Sequence, residues 1–269
     1  MFTKLRTLMA TAFLGIVACS ELPRSGNQAS IPTESASLNK VIVLGMIHGK
    51  HETSERYSTS RVKGVIKAIA PDYVLTEIPP DRFEEAARNF AETGTVTEPR
   101  VARFPEYVDA LFPLTQEMDF EIIPTAGWTR QMANFRSDAL DIISKDKART
   151  EDWATHQSAI ETMNEAIGNK PDDPYFIHSQ AYDDITKTGL TPYATLFADD
   201  LGVGDWETIN TAHYGHIERA LDLHTGEGAT ILITYGASHK YWFLEKLRER
   251  TDIILVSPLP YFDIVPAGH

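Results

Sequence analysis

Two short phrases of one form, Gly-x-x-His, stand near opposite ends of this chain. One is Gly45-Met46-Ile47-His48 and the other is Gly236-Ala237-Ser238-His239. Imidazole binds zinc, manganese, iron or cobalt and also exchanges protons near neutral pH, so two such histidines suit metal or acid–base chemistry. Each phrase follows a run that reads as a strand: Val41-Ile42-Val43-Leu44 before the first, Ile231-Leu232-Ile233-Thr234-Tyr235 before the second. A third run, Tyr73-Val74-Leu75-Thr76, ends on Glu77, a carboxylate able to ligate a cation, activate water or pair with Arg82. Open parallel sheets bind ligands outside the carboxyl ends of their strands, so three such strands would deliver two imidazoles and a carboxylate to one crevice. Alone, Gly-x-x-His is a weak pattern, and loop histidines often only satisfy backbone groups. Its repetition at strand ends gives it weight.

The other histidines carry weaker signals. His51 and Glu52 lie just past the first phrase and either enlarge the site or are solvated loop residues. His213 and His216 stand three apart on an apolar helical face, a spacing that suits a metal, although a histidine satisfied within the core is commoner. His156 reads as a core histidine. There is no Gly-x-Ser-x-Gly elbow, His-Glu-x-x-His, phosphate loop or Gly-x-Gly-x-x-Gly. Ser238 directly precedes His239, and neighbours on a turn do not readily form a serine–histidine dyad.

The elements that must position these residues follow from periodicity. From Asn39 onward strands and helices alternate. Val62, Val65, Ile66 and Ile69 repeat at helical spacing, and Ala70-Pro71-Asp72 stops that helix before the strand ending at Glu77. Phe104 to Met118 reads as a helix and Phe120 to Ile123 as a short strand closed by Pro124. Residues 130–225 read as largely helical, with apolar stripes at Trp153, His156, Ile160, Met163 and Ile167 and at Ile209, Ala212, His213, His216, Ile217 and Ala220. The Ile231 strand, a helix over Tyr241 to Arg250 and a strand at Ile253 to Val256 close the chain. The expected class is α/β: a central, mostly parallel sheet built from both ends of the chain, with a helical insertion over about 125–228.

At 269 residues, with 42% hydrophobic and 23% charged residues, the chain suits a globular fold with a sizeable core. The net charge of −13 repels phosphate backbones, and no basic cluster offsets it, so no nucleic-acid partner is expected. Lys4 and Arg6 followed by the apolar stretch Thr7 to Ala18 read as a secretory leader over 1–18, too short for a spanning helix. Ile16-Val17-Ala18-Cys19 resembles the lipobox of bacterial lipoproteins. That resemblance implies a lipidated Cys19 as the mature terminus, held in a bilayer, with Ser20 pointing to the outer membrane. Residues 19–38 then form the lipidated cysteine and a flexible tether rich in Ser, Pro, Asn and Gln, and 39–269 the folded domain. Cys19 is the single cysteine, which excludes an intramolecular disulfide and a catalytic thiol in the domain.

Three blocks, VIVLGMIHG, PDYVLTEIPPDRF and ILITYGASHKYWFLEKL, resemble in order those of the superfamily containing TraB, GumN, Tiki, ChaN and the erythromycin esterases. The arginine that follows the glutamate in the TraB branch is matched by Arg82. Met46 stands where ChaN proteins carry an acidic residue. The Arg-Asn pair of several branches is missing, since Asn210 and Arg219 are not adjacent, and neither is carried over.

The resemblance implies a hydrolase, protease-like or esterase-like, acting on a peptide or small molecule, and the lipobox-like Cys19 would tether it to a membrane. Its catalytic residues would be His48, Glu77, His239 and Arg82, and His48, Glu77 and His239 would hold a divalent metal (Mn, Co, Zn or Fe) or position water. Two alternatives stand beside it: a haem- or iron-binding lipoprotein like the ChaN branch, suggested by the lipid anchor and exposed histidines, with Tyr235, Tyr241 and Tyr261 as further iron ligands, or an inactive envelope scaffold.

Overall fold

The apolar runs near both ends of the chain form five parallel strands of one sheet. They are β1 (Asn39–Met46), β2 (Tyr73–Thr76), β3 (Glu121–Pro124), β4 (Thr230–Gly236) and β5 (Ile253–Val256), in the order β3-β2-β4-β1-β5. The structure is a computed structural model and describes residues 37–267. The leader over 1–18, Cys19 and nearly all of the tether lie outside the described residues.

Parallel strands covered on both faces are near-continuous apolar runs, and β1 is of this kind. Alternate β1 side chains enter opposite cores. Ile42, Leu44 and Met46 pack with Val62, Val65 and Ile66 of α1 (Thr59–Ile69), while Val41 and Val43 pack with Ile217, Leu221 and Phe243 across the sheet. The alternating strand–helix reading therefore gives the sheet correctly. What it does not reveal is the strand order. β4 slots between β1 and β2, with Met46 opposite Gly236 and Thr76 opposite Thr234, so the ends of all three strands lie side by side.

Between β2 and β3 run α2 (Pro80–Thr93) and then a single π-helical turn (Glu106–Leu111) leading into α3 (Phe112–Leu114). This replaces the uninterrupted helix expected over Phe104 to Met118. Pro113 has no N–H to donate to a preceding carbonyl, so a regular ladder cannot continue through it. π turns recur where a side chain must be re-aimed at a functional site.

The helical insertion between β3 and β4 holds α4 (Arg130–Lys145), α5 (Thr150–Ile167), α6 (Pro174–Ile177), α7 (Gln180–Leu196), α8 (Ala198–Leu201) and α9 (Trp206–Leu223). It has its own small core of Ile143, Tyr193, Phe197 and Leu201. The expected stripe on α5 is only half covered: none of its residues is fully buried. The His156 ring packs on Trp153, Tyr193 and Phe197, with its Nδ1 buried and unpartnered. On α9 the stripe holds at Ile209, His213, Ile217 and Ala220, but His216 turns outward to Arg219. The fold closes with α10 (Lys240–Leu247), β5 and α11 (Leu259–Ile264). Among the described residues no helix is long and apolar enough to cross a membrane.

A buried ion pair ties the insertion to the sheet. Lys240 Nζ at the start of α10 donates to Asp183 Oδ1 of α7 at 2.5 Å, and both residues are almost wholly buried. Burial pushes the Lys240 pKa down and that of Asp183 up, each against the pull of its partner. Lys240→Met should therefore cost about 3–5 kcal/mol by stranding a buried carboxylate. Lys240→Met with Asp183→Leu should recover most of that loss, as read from urea midpoints.

Candidate active site

The ends of β1, β2 and β4 each deliver one polar residue to the same edge of the sheet. After β1 the chain enters a 3-10 turn, His48–Glu52, with His48 itself at φ +50°, a backbone conformation rarely adopted by residues other than glycine. The His48 ring lies against Gly236: a Cβ there would sit 2.6 Å from His48 Nε2, so only glycine permits this approach. Glu77 follows β2 directly. Its Oε2 accepts from the Gly236 N–H at 2.8 Å and lies 3.9 Å from His48 Nε2. Tyr107 of the π turn fixes the backbone there, its hydroxyl accepting from the Glu77 N–H at 2.8 Å and donating to the Thr234 carbonyl at 2.9 Å.

The same π turn brings Glu106 beneath His48. Its Oε1 lies 2.6 Å from His48 Nδ1, and the Glu106 side chain is fully enclosed. A carboxylate only accepts, so Nδ1 carries a proton and Nε2 is the nitrogen that faces Glu77. On the other side, β4 ends in a 3-10 turn, Ala237–His239. His239 Nδ1 meets Asn210 Oδ1 at 2.7 Å, and Asn210 Nδ2 donates to the Trp206 carbonyl at 2.7 Å, which fixes the amide orientation. His239 therefore donates through Nδ1 and keeps a lone pair on Nε2. Its ring is stacked on Trp206 with centroids 4.7 Å apart.

A third histidine joins the cluster. His213, fully buried on α9, offers a ligand atom lying within 4.8 Å of ones from Glu77 and His239, so Glu77, His213 and His239 could hold a metal ion. The hydrogen bonds refine that possibility. Histidines that bind metal usually donate their other ring N–H to an oxygen, as His48 and His239 do. His213 Nδ1 instead accepts, from the Gly127 N–H at 2.8 Å, which places its proton on Nε2. Within this group Glu77 and His239 turn acceptor atoms inward and His213 an N–H, while His48 stands beside it, 3.9 Å from Glu77.

A crevice of about 350 Å³ opens beside His48. It is lined by Lys50, Gly236 and Ser238 from the sheet side and by Asn164, Ile167 and Tyr182 from the insertion. A larger cavity of about 730 Å³ lies between α5 and α7, lined mainly by alanine, threonine and apolar side chains with Glu151 and Asp184, and it holds no histidine. Of the two, only the smaller space is bordered by His48 and Gly236.

Other expected residues stand elsewhere. Arg82 makes no ion pair or hydrogen bond with Glu77; its Nε lies 3.1 Å from Asp81, because α2 carries the side chain away from the sheet edge. His51 neither enlarges the site nor faces solvent: it is buried, with Nε2 accepting from the Ile47 N–H and Nδ1 donating to the Tyr57 carbonyl. Glu52 is exposed. Tyr235 and Tyr241 spend their hydroxyls on Thr125 and Trp206, and Tyr261 packs against the core. None of the three opens into the crevice. Sequence reasoning missed Glu106, Asn210 and His213 as site residues. A signal was present on α9, where Asn210 and His213 stand three apart on one otherwise apolar face.

The electrostatics distinguish the histidines. Burial pulls the pKa of His48 down, but the hydrogen bond and charge of Glu106, with the charge of Glu77, outweigh it and leave His48 above its ordinary 6.5. Burial holds His239 and, more strongly, His213 below that value. A raised folded-state pKa means that His48 contributes stability in full below about pH 6.5, and that this is lost as pH rises through the folded value. Glu106→Gln should thus lower the His48 pKa, read by NMR titration of its ring, and should flatten the fall in stability between pH 6 and 8 (bounds on the order of the histidine range). No family description, curated protein or solved structure matches this chain.

Proposed function

We propose that this protein is a hydrolase of ester or amide bonds, working through Glu77 and His48 at the ends of β2 and β1. The observation that carries the reading is the convergence of both Gly-x-x-His histidines on Glu77. His48 Nε2 lies 3.9 Å from the carboxylate, and His239 offers a ligand atom within 4.8 Å of it. Glu77, held by the Gly236 N–H, is the group that takes a proton from attacking water. His48, whose proton affinity is enhanced by Glu106 and which borders the crevice, returns a proton to the leaving group. Two titratable groups with opposite tasks at one site are the usual form of such catalysis.

Glu77, His239 and a deprotonated His48 are the residues that would hold a divalent ion, and their imidazole–carboxylate set suits Zn, Mn, Co or Fe. When bound, such an ion would supply a water of lowered pKa and polarise the substrate carbonyl. Because the ligands must be deprotonated, His48 would have to release its proton, so affinity should fall as pH drops through its raised pKa. We also propose, from the lipobox-like Cys19, that the domain is lipid-anchored in a bacterial envelope and faces the periplasm.

His48→Ala and His239→Ala should each lose bound zinc in elemental analysis after reconstitution and dialysis. Each should also lose at least ~10²-fold in hydrolysis of p-nitrophenyl acetate. Folded variants that keep both metal and activity would eliminate the reading. Palmitate labelling of cells should mark the full chain and not Cys19→Ala.

A further inference from the structure

The position of His213 raises a separate question, because its Nε2 is buried and has no hydrogen-bond partner. Buried donors are seldom left unpaired, because each forfeits its hydrogen bond to water without a replacement. Its neighbours define what it can bind. Nδ1 is committed to the Gly127 N–H, so the ring is neutral and Nε2 is a donor. That contact is tight: a Cβ on Gly127 would fall 2.6 Å from Ala212 and 2.8 Å from the His213 backbone nitrogen, so glycine is what lets the two segments meet. The ring is also clamped edge-on between His239 and Tyr235, with centroids 5.2 Å from each, which leaves no easy flip. Around the same space stand a Glu77 carboxylate and His239, whose Nε2 keeps its lone pair.

Glu77, His213 and His239 bring ligand atoms within 4.8 Å of one another, and an N–H from His213 with acceptors from Glu77 and His239 matches the polarity of a single water molecule, which accepts one hydrogen bond and donates two. With Glu77 and His239 free of metal, the His213 N–H faces the oxygen of that water; an ion held by Glu77, His239 and His48 would take the place of this water. Resting on the hydrolase reading above, we propose that His213 is a catalytic residue whose Nε2–H holds the oxygen of the attacking water between Glu77 and His239. The oxygen of this water bonds to the carbonyl carbon of the ester or amide while one of its protons passes to Glu77. The π pair of the C=O bond moves onto the carbonyl oxygen. Collapse of the tetrahedral adduct re-forms C=O and breaks the bond to the leaving group, which takes a proton from His48. Proton transfer from Glu77 to His48 resets the site. In this scheme His213 gains and loses no proton; it orients a lone pair.

The test has two arms on the full chain. In the first, long-range proton–nitrogen NMR of histidine-labelled protein should show His213 protonated at Nε2 and unprotonated at Nδ1. Added zinc should move the Nε2 signals of His48 and His239 but not convert that of His213 to a metal-bound form. In the second, His213→Ala should lower kcat for p-nitrophenyl acetate by about 10²-fold with little change in KM, as expected when a nucleophile is misplaced. His213→Gln, whose amide N–H can still donate, should recover most of that loss. A proton on Nδ1 of His213, or zinc bound at its Nε2, would overturn the proposal, as would Ala and Gln variants that behave alike. If the wild-type chain does not cleave the ester, the hydrolase reading loses support from this substrate, and the NMR arm alone decides how His213 is protonated.

Discussion

The site depends on one constraint of topology, the insertion of β4 between β1 and β2. Parallel pairing in this register sets Met46 beside Gly236 and Thr76 beside Thr234. The turns that follow therefore leave the sheet at one level, and the residues just beyond each strand can meet. If β4 paired at an edge instead, His239 would be carried away from Glu77 by at least one strand spacing of ~4.8 Å. Gly236 takes part twice, through an N–H that fixes the Glu77 carboxylate and through an absent Cβ that admits the His48 ring.

Around this frame, hydrogen bonds divide three chemically identical rings into different roles. Glu106 makes His48 the ring with the enhanced hold on a proton, Asn210 turns the lone pair of His239 inward, and the Gly127 amide turns an N–H of His213 inward. None of these partners borders the crevice. The burial that costs energy here also removes competing water, so each assignment is held by a single bond in a medium where that bond is strong.

Much of this was legible in the sequence because buried parallel strands are written as uninterrupted β-branched runs. Val41 to Leu44, Tyr73 to Thr76 and Ile231 to Tyr235 could be located, and their last residues inherit a common edge. Glu106 was not legible: it lies on a segment that reads as an ordinary helix, and only the π turn aims it at His48. His213 was read together with His216 because spacing is visible and direction is not. Its true companion on the helix is Asn210, and the two polar side chains on an apolar face belong to His239 and to the space beside it. Arg82 shows the limit of nearness in sequence: it stands five residues from Glu77, yet its Nε lies beside Asp81.

The same strand order has a consequence for how the protein is made. While a nascent chain is still short of Thr230, β1 and β2 have no neighbour on the edges that β4 will occupy, and Glu77 waits for a partner 159 residues further on. Such long-range closure slows folding and leaves sticky edges open for longer. The cluster of Glu77, His213 and His239 is therefore incomplete during synthesis, and it forms only when the final segments thread into the middle of the sheet.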